Sequence, residues 1–186
     1  ALTDDAVGGD TNNDGSASTP APGYWGALWV ASGGVASLDY AVVRYGGFCS
    51  YCGHNPAGIN NEGGGVTLTQ STVVSNTNFG IYNSGQLAVL QSTVAASTNA
   101  GLYSVGANFT ISASQVISNG AQGIYVQGMP AAPVIANNTI AGNANEAILL
   151  AGPLAGLIDF PGNSLSNNNR NGVRLTGSVS GTLTLN

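Results

Sequence analysis

A glycine-led phrase that returns every 21 to 25 residues, apolar pairs five residues apart, and apolar–polar alternation in short runs predict an all-β fold. The expected architecture is a parallel β-helix, a β-solenoid of about seven rungs of ~22 residues. The phrase reads Gly58-Ile59, Gly80-Ile81, Gly101-Leu102, Gly123-Ile124, then Ala147-Ile148 and Gly172-Val173, in steps of 22, 21, 22, 24 and 25. A unit of that size buries its apolar side only by stacking on its neighbours.

In chain order, residues 1–23 form an entry segment rich in Asp, Asn and Gly. Asp10, Asn12, Asp14 and Ser16 offer side-chain oxygens at alternating positions, with Gly15 for the turn, as in the first half of an EF-hand loop. Ala21 stands where that loop has its bidentate Glu, so Asp4 or Asp5 would have to supply the missing charge. Two readings stand: a structural Ca2+ site, or an Asx-rich turn into the first rung.

Residues 24–186 carry the repeat. Its anchors are Leu38/Val43, Leu68/Val73, Val89/Val94, Ile111/Val116, Ile135/Ile140 and Phe160/Leu165, all expected to point inward. The small polar residues between them, such as 69–72 and 112–115, are expected to point outward. Three residues past the second anchor, from Val73 onward, come Asn76, Ser97, Asn119, Asn143 and Asn168. Asn suits a corner there, because it tolerates the left-handed conformation and stacks as a hydrogen-bonded ladder. Glycine at the phrase start is expected at another corner, where φ is positive. No i, i+3, i+4, i+7 pattern persists long enough for a helix.

An insertion interrupts the first rung at about residues 47–57 and holds Cys49-Ser-Tyr-Cys52-Gly-His54. A closed zinc site needs four ligands, and no third Cys or second His exists. A c-type haem needs His directly after the second Cys, where Gly53 stands. A redox dithiol belongs on a βαβ scaffold that the sequence lacks. A disulfide between Cys49 and Cys52, closing a tight surface loop, is the expectation.

Aromatic residues concentrate in the first 51 positions. Trp25 and Trp29 are expected to plug the open end of the first rung, while Tyr40, Tyr45 and Tyr51 are candidates for glycan binding. At the far end, Thr182-Leu183-Thr184-Leu185 alternates like a strand, with no charge after Arg174. Together with Trp25 and Trp29 it is the expected self-association surface, joining copies head to tail.

Composition bounds the setting. Charged residues make up 6% of the chain, against 43% hydrophobic ones, and the only basic residues are Arg44, Arg170 and Arg174. A net charge of −5 argues against nucleic acid and against an anionic membrane surface. No run of 18 apolar residues is present for membrane insertion. Two Cys, no Lys and abundant Ser, Thr and Asn fit an extracellular or cell-surface location. A start at Ala1 fits a mature chain or an excised domain alike.

These residues resemble the right-handed parallel β-helix repeat proteins of secreted and surface-attached bacterial origin, over roughly residues 24 to 186. The opening Asp4-Asp5-Ala-Val-Gly8-Gly9-Asp10-Thr-Asn12-Asn-Asp14-Gly15 and the following Pro22-Gly23-Tyr-Trp25-Gly26 resemble the entry phrase of such helices. The resemblance spans polysaccharide lyases, glycosidases, tail-spike-like proteins, adhesins and structural surface proteins. The lyases imply calcium-binding acids on one strand face, and the hydrolases an Asn-Thr-Asp, Asp-Asp, Gly-His-Gly set on consecutive rungs. Neither is reproduced: Asp39, Glu62, Glu146 and Asp159 are scattered along the chain. The expectation is therefore a non-catalytic structural or adhesive domain that self-assembles end to end. A carbohydrate-binding or carbohydrate-active domain and a passive spacer in a larger surface protein are the alternatives.

Overall fold

A computed structural model describes residues 13–15, 17–49, 53–128, 133–158 and 160–185; for 154–158 and 179–185 only the backbone is described. Each turn of the chain gives three short strands. The first holds β1 (Leu28–Ala31), β2 (Val35–Asp39) and β3 (Val42–Arg44); the second β4 (Ala57–Glu62), β5 (Gly65–Thr69) and β6 (Thr72–Val74). The third holds β7 (Phe79–Asn83), β8 (Gln86–Leu90) and β9 (Thr93–Ala95); the fourth β10 (Leu102–Val105), β11 (Phe109–Ser112) and β12 (Gln115–Ile117). The fifth holds β13 (Ile124–Gln127), β14 (Val134–Ala136) and β15 (Thr139–Ala141). There follow β16 (Glu146–Ala151), β17 (Leu154–Ile158), β18 (Ser164–Ser166), β19 (Arg170–Thr176) and β20 (Val179–Leu185).

Stacking these turns makes three parallel sheets. Face one runs β1-β4-β7-β10-β13-β16-β19, face two β2-β5-β8-β11-β14, and face three β3-β6-β9-β12-β15-β18. The expected anchors lie in register: Leu38, Leu68, Val89, Ile111 and Ile135 on face two, and Val43, Val73, Val94, Val116, Ile140 and Leu165 on face three. They point inward with Ile59, Ile81, Leu102, Ile124 and Ile148 of face one, forming one continuous core. Phe160 departs from the series: it packs on that core from outside any strand.

Among the described residues five turns carry all three faces, fewer than the seven rungs expected. Face two ends at β14 because β17 pairs with β20 instead, in a separate two-stranded sheet. Pro153 and Pro161 flank β17, and proline cannot donate to a ladder, so the regular stacking stops there.

Polar ladders line the corners. Asn76, Asn119, Asn143 and Asn168 are buried, as is Ser97. The Nδ2 of Asn119 donates to Oδ1 of Asn143 at 2.9 Å, and that of Asn143 to Oδ1 of Asn168 at 2.8 Å. The ladder is as expected, but the residue with left-handed backbone is the one before it: Tyr45, Ser75, Ala96, Ser118, Gly142 and Asn167 all have positive φ.

A second ladder overturns the expectation that the residues between the anchors all point outward. Ser71, Ser92, Ser114 and Asn138 are buried. The backbone N–H groups of Ser71 and Ser92 donate to the hydroxyls of Ser92 and Ser114, and that of Ser114 to Oδ1 of Asn138, at 2.9–3.0 Å. A left-handed residue just before each, such as Gln70, Gln91 and Ala113, swings it inward.

Positive φ, the expected cause, holds at Gly172 (φ 152) and not at the other four phrase glycines. Gly58, Gly80, Gly101 and Gly123 do not have left-handed backbone. A Cβ on Gly101 would meet Asn119 Nδ2 at 2.7 Å and Val116 Cγ1 at 2.8 Å, and one on Gly123 would meet Ile140 Cγ2 at 2.6 Å. These positions are glycine because the ladder and the second anchor of the same turn close over them.

Candidate functional site

Face one gathers the aromatic residues Trp29, Phe79, Tyr82, Tyr103 and Tyr125 and the charged residues Glu62, Glu146, Arg170 and Arg174. In-register pairing puts Trp29, Asn60, Tyr82, Tyr103, Tyr125, Leu149 and Arg174 in one column across the seven strands. The rings touch: Tyr103 stacks on Tyr125 at 4.7 Å with 25° between planes, and meets Tyr82 edge-on at 5.6 Å. Phe79 closes on Tyr103 at 4.8 Å. The Tyr103 hydroxyl donates to Oε1 of Gln127. Burial pushes the Tyr103 phenol up from its ordinary pKa, and Tyr125 and Tyr82 add to that.

Opposite charges mark the two ends of this row. Near β1, Glu62 accepts from Trp29 Nε1 at 2.9 Å and from Asn60 Nδ2 at 3.0 Å, and Trp29 stacks on the His54 ring at 5.5 Å. Asn60 is fully buried, and its Oδ1 has no hydrogen-bond partner. Near β19, Glu146 is 2% exposed and its Oε1 is gripped by Arg170 at 2.6 Å and Arg174 at 2.7 Å. Gln122 Nε2 donates to Oε2 at 3.1 Å. Burial raises the pKa of this carboxyl, but the donors Arg174, its own backbone, Gln122 and Arg170 outweigh that and hold it at about 2.

The geometry now has a family to stand beside: the family model for the right-handed beta helix region matches residues 44–186. The chain belongs to the right-handed β-helix family. No curated protein and no solved structure matches it. The family holds enzymes and non-enzymes, so membership sets the scaffold and leaves the chemistry to particular residues.

On this β-helix the expected site residues fall in separate places. Asp10, Asn12 and Ser16 lie outside the described residues; Asp14 accepts from the Ser18 hydroxyl. Cys49 lies at the end of the described part of the insertion, its sulfur 3.5 Å from the His54 carbonyl oxygen, and Cys52 lies outside it. Among the described residues no group of three or more His, Cys, Asp or Glu is placed to hold a metal, and no helix is long and apolar enough to cross a membrane.

Tyr40 is 71% exposed at the turn after β2, and Tyr45 sits at the next corner, with the Arg44 guanidinium 5.4 Å from its ring centroid. Tyr51 lies outside the described residues. Trp25 donates from Nε1 to the Arg44 carbonyl at 2.7 Å. Trp29 is an outward residue of β1 and 57% exposed, so it stands on face one rather than across the open end. Thr182, Leu183, Thr184 and Leu185 belong to β20, which pairs with β17 along one edge.

The tyrosine row was missed by reasoning from the sequence, although its signal is present. In three consecutive units the residue after the phrase is tyrosine: Gly80-Ile-Tyr82, Gly101-Leu-Tyr103 and Gly123-Ile-Tyr125. Glu146, Arg170 and Arg174 are likewise 24 and 28 residues apart, about one turn.

Proposed function

We propose that this β-helix is a non-catalytic structural domain of an extracellular or cell-surface protein, a rigid column that acts through its surfaces. One observation carries the reading: both carboxylates of face one are already committed to protein donors, and they stand far apart. Glu62 on β4 and Glu146 on β16 are separated by four strand spacings, about 19 Å at ~4.8 Å each. Glycoside hydrolysis needs two carboxyls roughly 5–10 Å apart. The scarcity of Lys, the Cys49–Cys52 loop expected to be oxidised, and a Ca2+ clip at Asp10, Asn12, Asp14 and Ser16 belong to the same reading. Release of reducing ends or unsaturated products from a panel of neutral and acidic polysaccharides tests it. No turnover is expected, and turnover that Glu62→Gln abolishes would overturn it.

A second reading, carbohydrate binding, is favoured by the half-exposed Tyr82, Tyr103 and Tyr125 in one row. Affinity electrophoresis in soluble polysaccharides, comparing the protein with Tyr82→Ala and Tyr125→Ala, tests it by retardation that the variants lose. End-to-end assembly through Thr182–Leu185 is the third element of the proposal, tested by electron microscopy for fibres of stacked columns.

A further inference from the structure

We infer that the outer surface of face one is a self-complementary docking surface for a second copy of this chain, turned end for end about a two-fold axis. The inference rests on the structural reading above and assigns a surface that reading leaves open.

The argument starts from the order of strands. Glu62 stands on the second strand of face one and Arg174 on the seventh. The midpoint between them falls between β10 and β13, the strands that carry Tyr103 and Tyr125. A two-fold axis lying between two such faces, parallel to the strands and through that midpoint, reverses the strand order of one copy against the other. Tyr103 then meets Tyr125 of the second copy, Tyr82 lies over β16, whose Leu149 is 9% exposed, and the Glu62 end meets the Arg174 end. Each pairing occurs twice, as an isologous interface requires.

Glu62 and Arg174 stand at matching heights in neighbouring columns, because Glu62 is two residues beyond Asn60, which shares the column of Arg174. One column is a step of about 7 Å, within reach of an arginine. Arg170 and Arg174 share a single carboxylate, so that end keeps one net positive charge for the incoming Glu62.

Ring orientation favours a protein partner over a sugar. Tyr103 and Tyr125 stack on each other, so each covers one face of the other's ring and leaves less open face for a sugar ring. Tyrosine at the centre of a patch with charge at its rim is the usual anatomy of an interface. Five strand spacings by about four residues is a small patch, roughly 24 by 13 Å, which places the association among weak, transient ones.

Sedimentation velocity from micromolar to near-millimolar protein is the test. A monomer–dimer equilibrium is expected. Glu62→Arg and Arg174→Glu should each raise the dissociation constant by about tenfold or more, since symmetry repeats each repulsion twice. Mixing the two variants restores both opposite-charge pairs in the heterodimer, so the mixture should dimerise while each alone does not. Circular dichroism confirms that both variants are folded, and if either is not, Tyr125→Ser serves as the second variant, expected to weaken the dimer. A protein that stays monomeric throughout, a dimer insensitive to these changes, or a mixture without recovery would overturn the inference. So would polysaccharide binding that the tyrosine variants abolish in a monomeric protein. Detection of turnover would instead strike the structural reading and leave the dimer standing.

Discussion

Oδ1 of Asn143 accepts two hydrogen bonds from Asn119, one from its backbone N–H at 3.0 Å and one from its side-chain amide at 2.9 Å. The Nδ2 of Asn143 in turn donates to the Val116 carbonyl at 3.0 Å and to Asn168 Oδ1 at 2.8 Å. One buried side chain thus ties three consecutive turns. Asn143→Ala strands two donors and an acceptor inside the column and is expected to cost about 3 kcal/mol. Thermal unfolding by circular dichroism should show a melting temperature lower by roughly 6–12 °C.

Gly123→Ala and Gly106→Ala separate two reasons for glycine. The first adds a Cβ 2.6 Å from Ile140 Cγ2, and overpacking of that kind costs about 1–3 kcal/mol. The second adds one with nothing within 4 Å, at φ +59, where only the left-handed backbone resists it, for about 1 kcal/mol. Chemical denaturation should rank Gly123→Ala as the more damaging; the reverse order would mean that the column relaxes around the new methyl.

Glu146 should make stability depend on acidity. Its folded pKa, about 2, lies below its ordinary value of 4.5, so its contribution is present above pH 4.5 and is lost as pH falls towards 2. The shift corresponds to about 3 kcal/mol at most, and to less because both arginines are more than half exposed to screening solvent. Melting temperature plotted against pH should fall across that window, and Glu146→Gln should flatten the curve there.

The insertion loop yields a test by mass. Cys49 and Cys52 are expected to be joined, so reduction should add two hydrogens to the intact protein, and metal analysis should find no stoichiometric zinc.

The entry segment yields a test by chelation. If Asp10, Asn12, Asp14 and Ser16 hold Ca2+, a chelator should lower the melting temperature of the loaded protein, because a ligand of the folded state alone stabilises it. An unchanged melting temperature would leave the Asx-rich turn as the reading.

What the sequence disclosed depended on whether the cause was local or lay one turn away. The anchors were legible because burial in a column recurs with the period of the chain, and Val94, Val116 and Ile140 need no other information. The glycine at 101 was rightly singled out but for the wrong reason, since its crowding comes from Val116 and Asn119, later in the same turn. Ser92 and Ser114 looked like surface residues because a single left-handed residue before each is enough to turn it inward. Tyr103 and the Glu146–Arg174 pair escaped notice because they are distant in the chain and adjacent only once the turns stack.

The even register of the middle turns makes that part of the column a ruler with interchangeable graduations. Ile81, Leu102 and Ile124 occupy one place in three successive turns, as do Val94, Val116 and Ile140. Cutting out residues 102–123 would join Gly101 to Ile124, set β13 directly on β7, and bring Tyr125 beside Tyr82. The shortened chain would keep its sheets and lose about 4.8 Å of height. Length in such a molecule is set by counting turns, so it can change by whole turns without redesign of the rest.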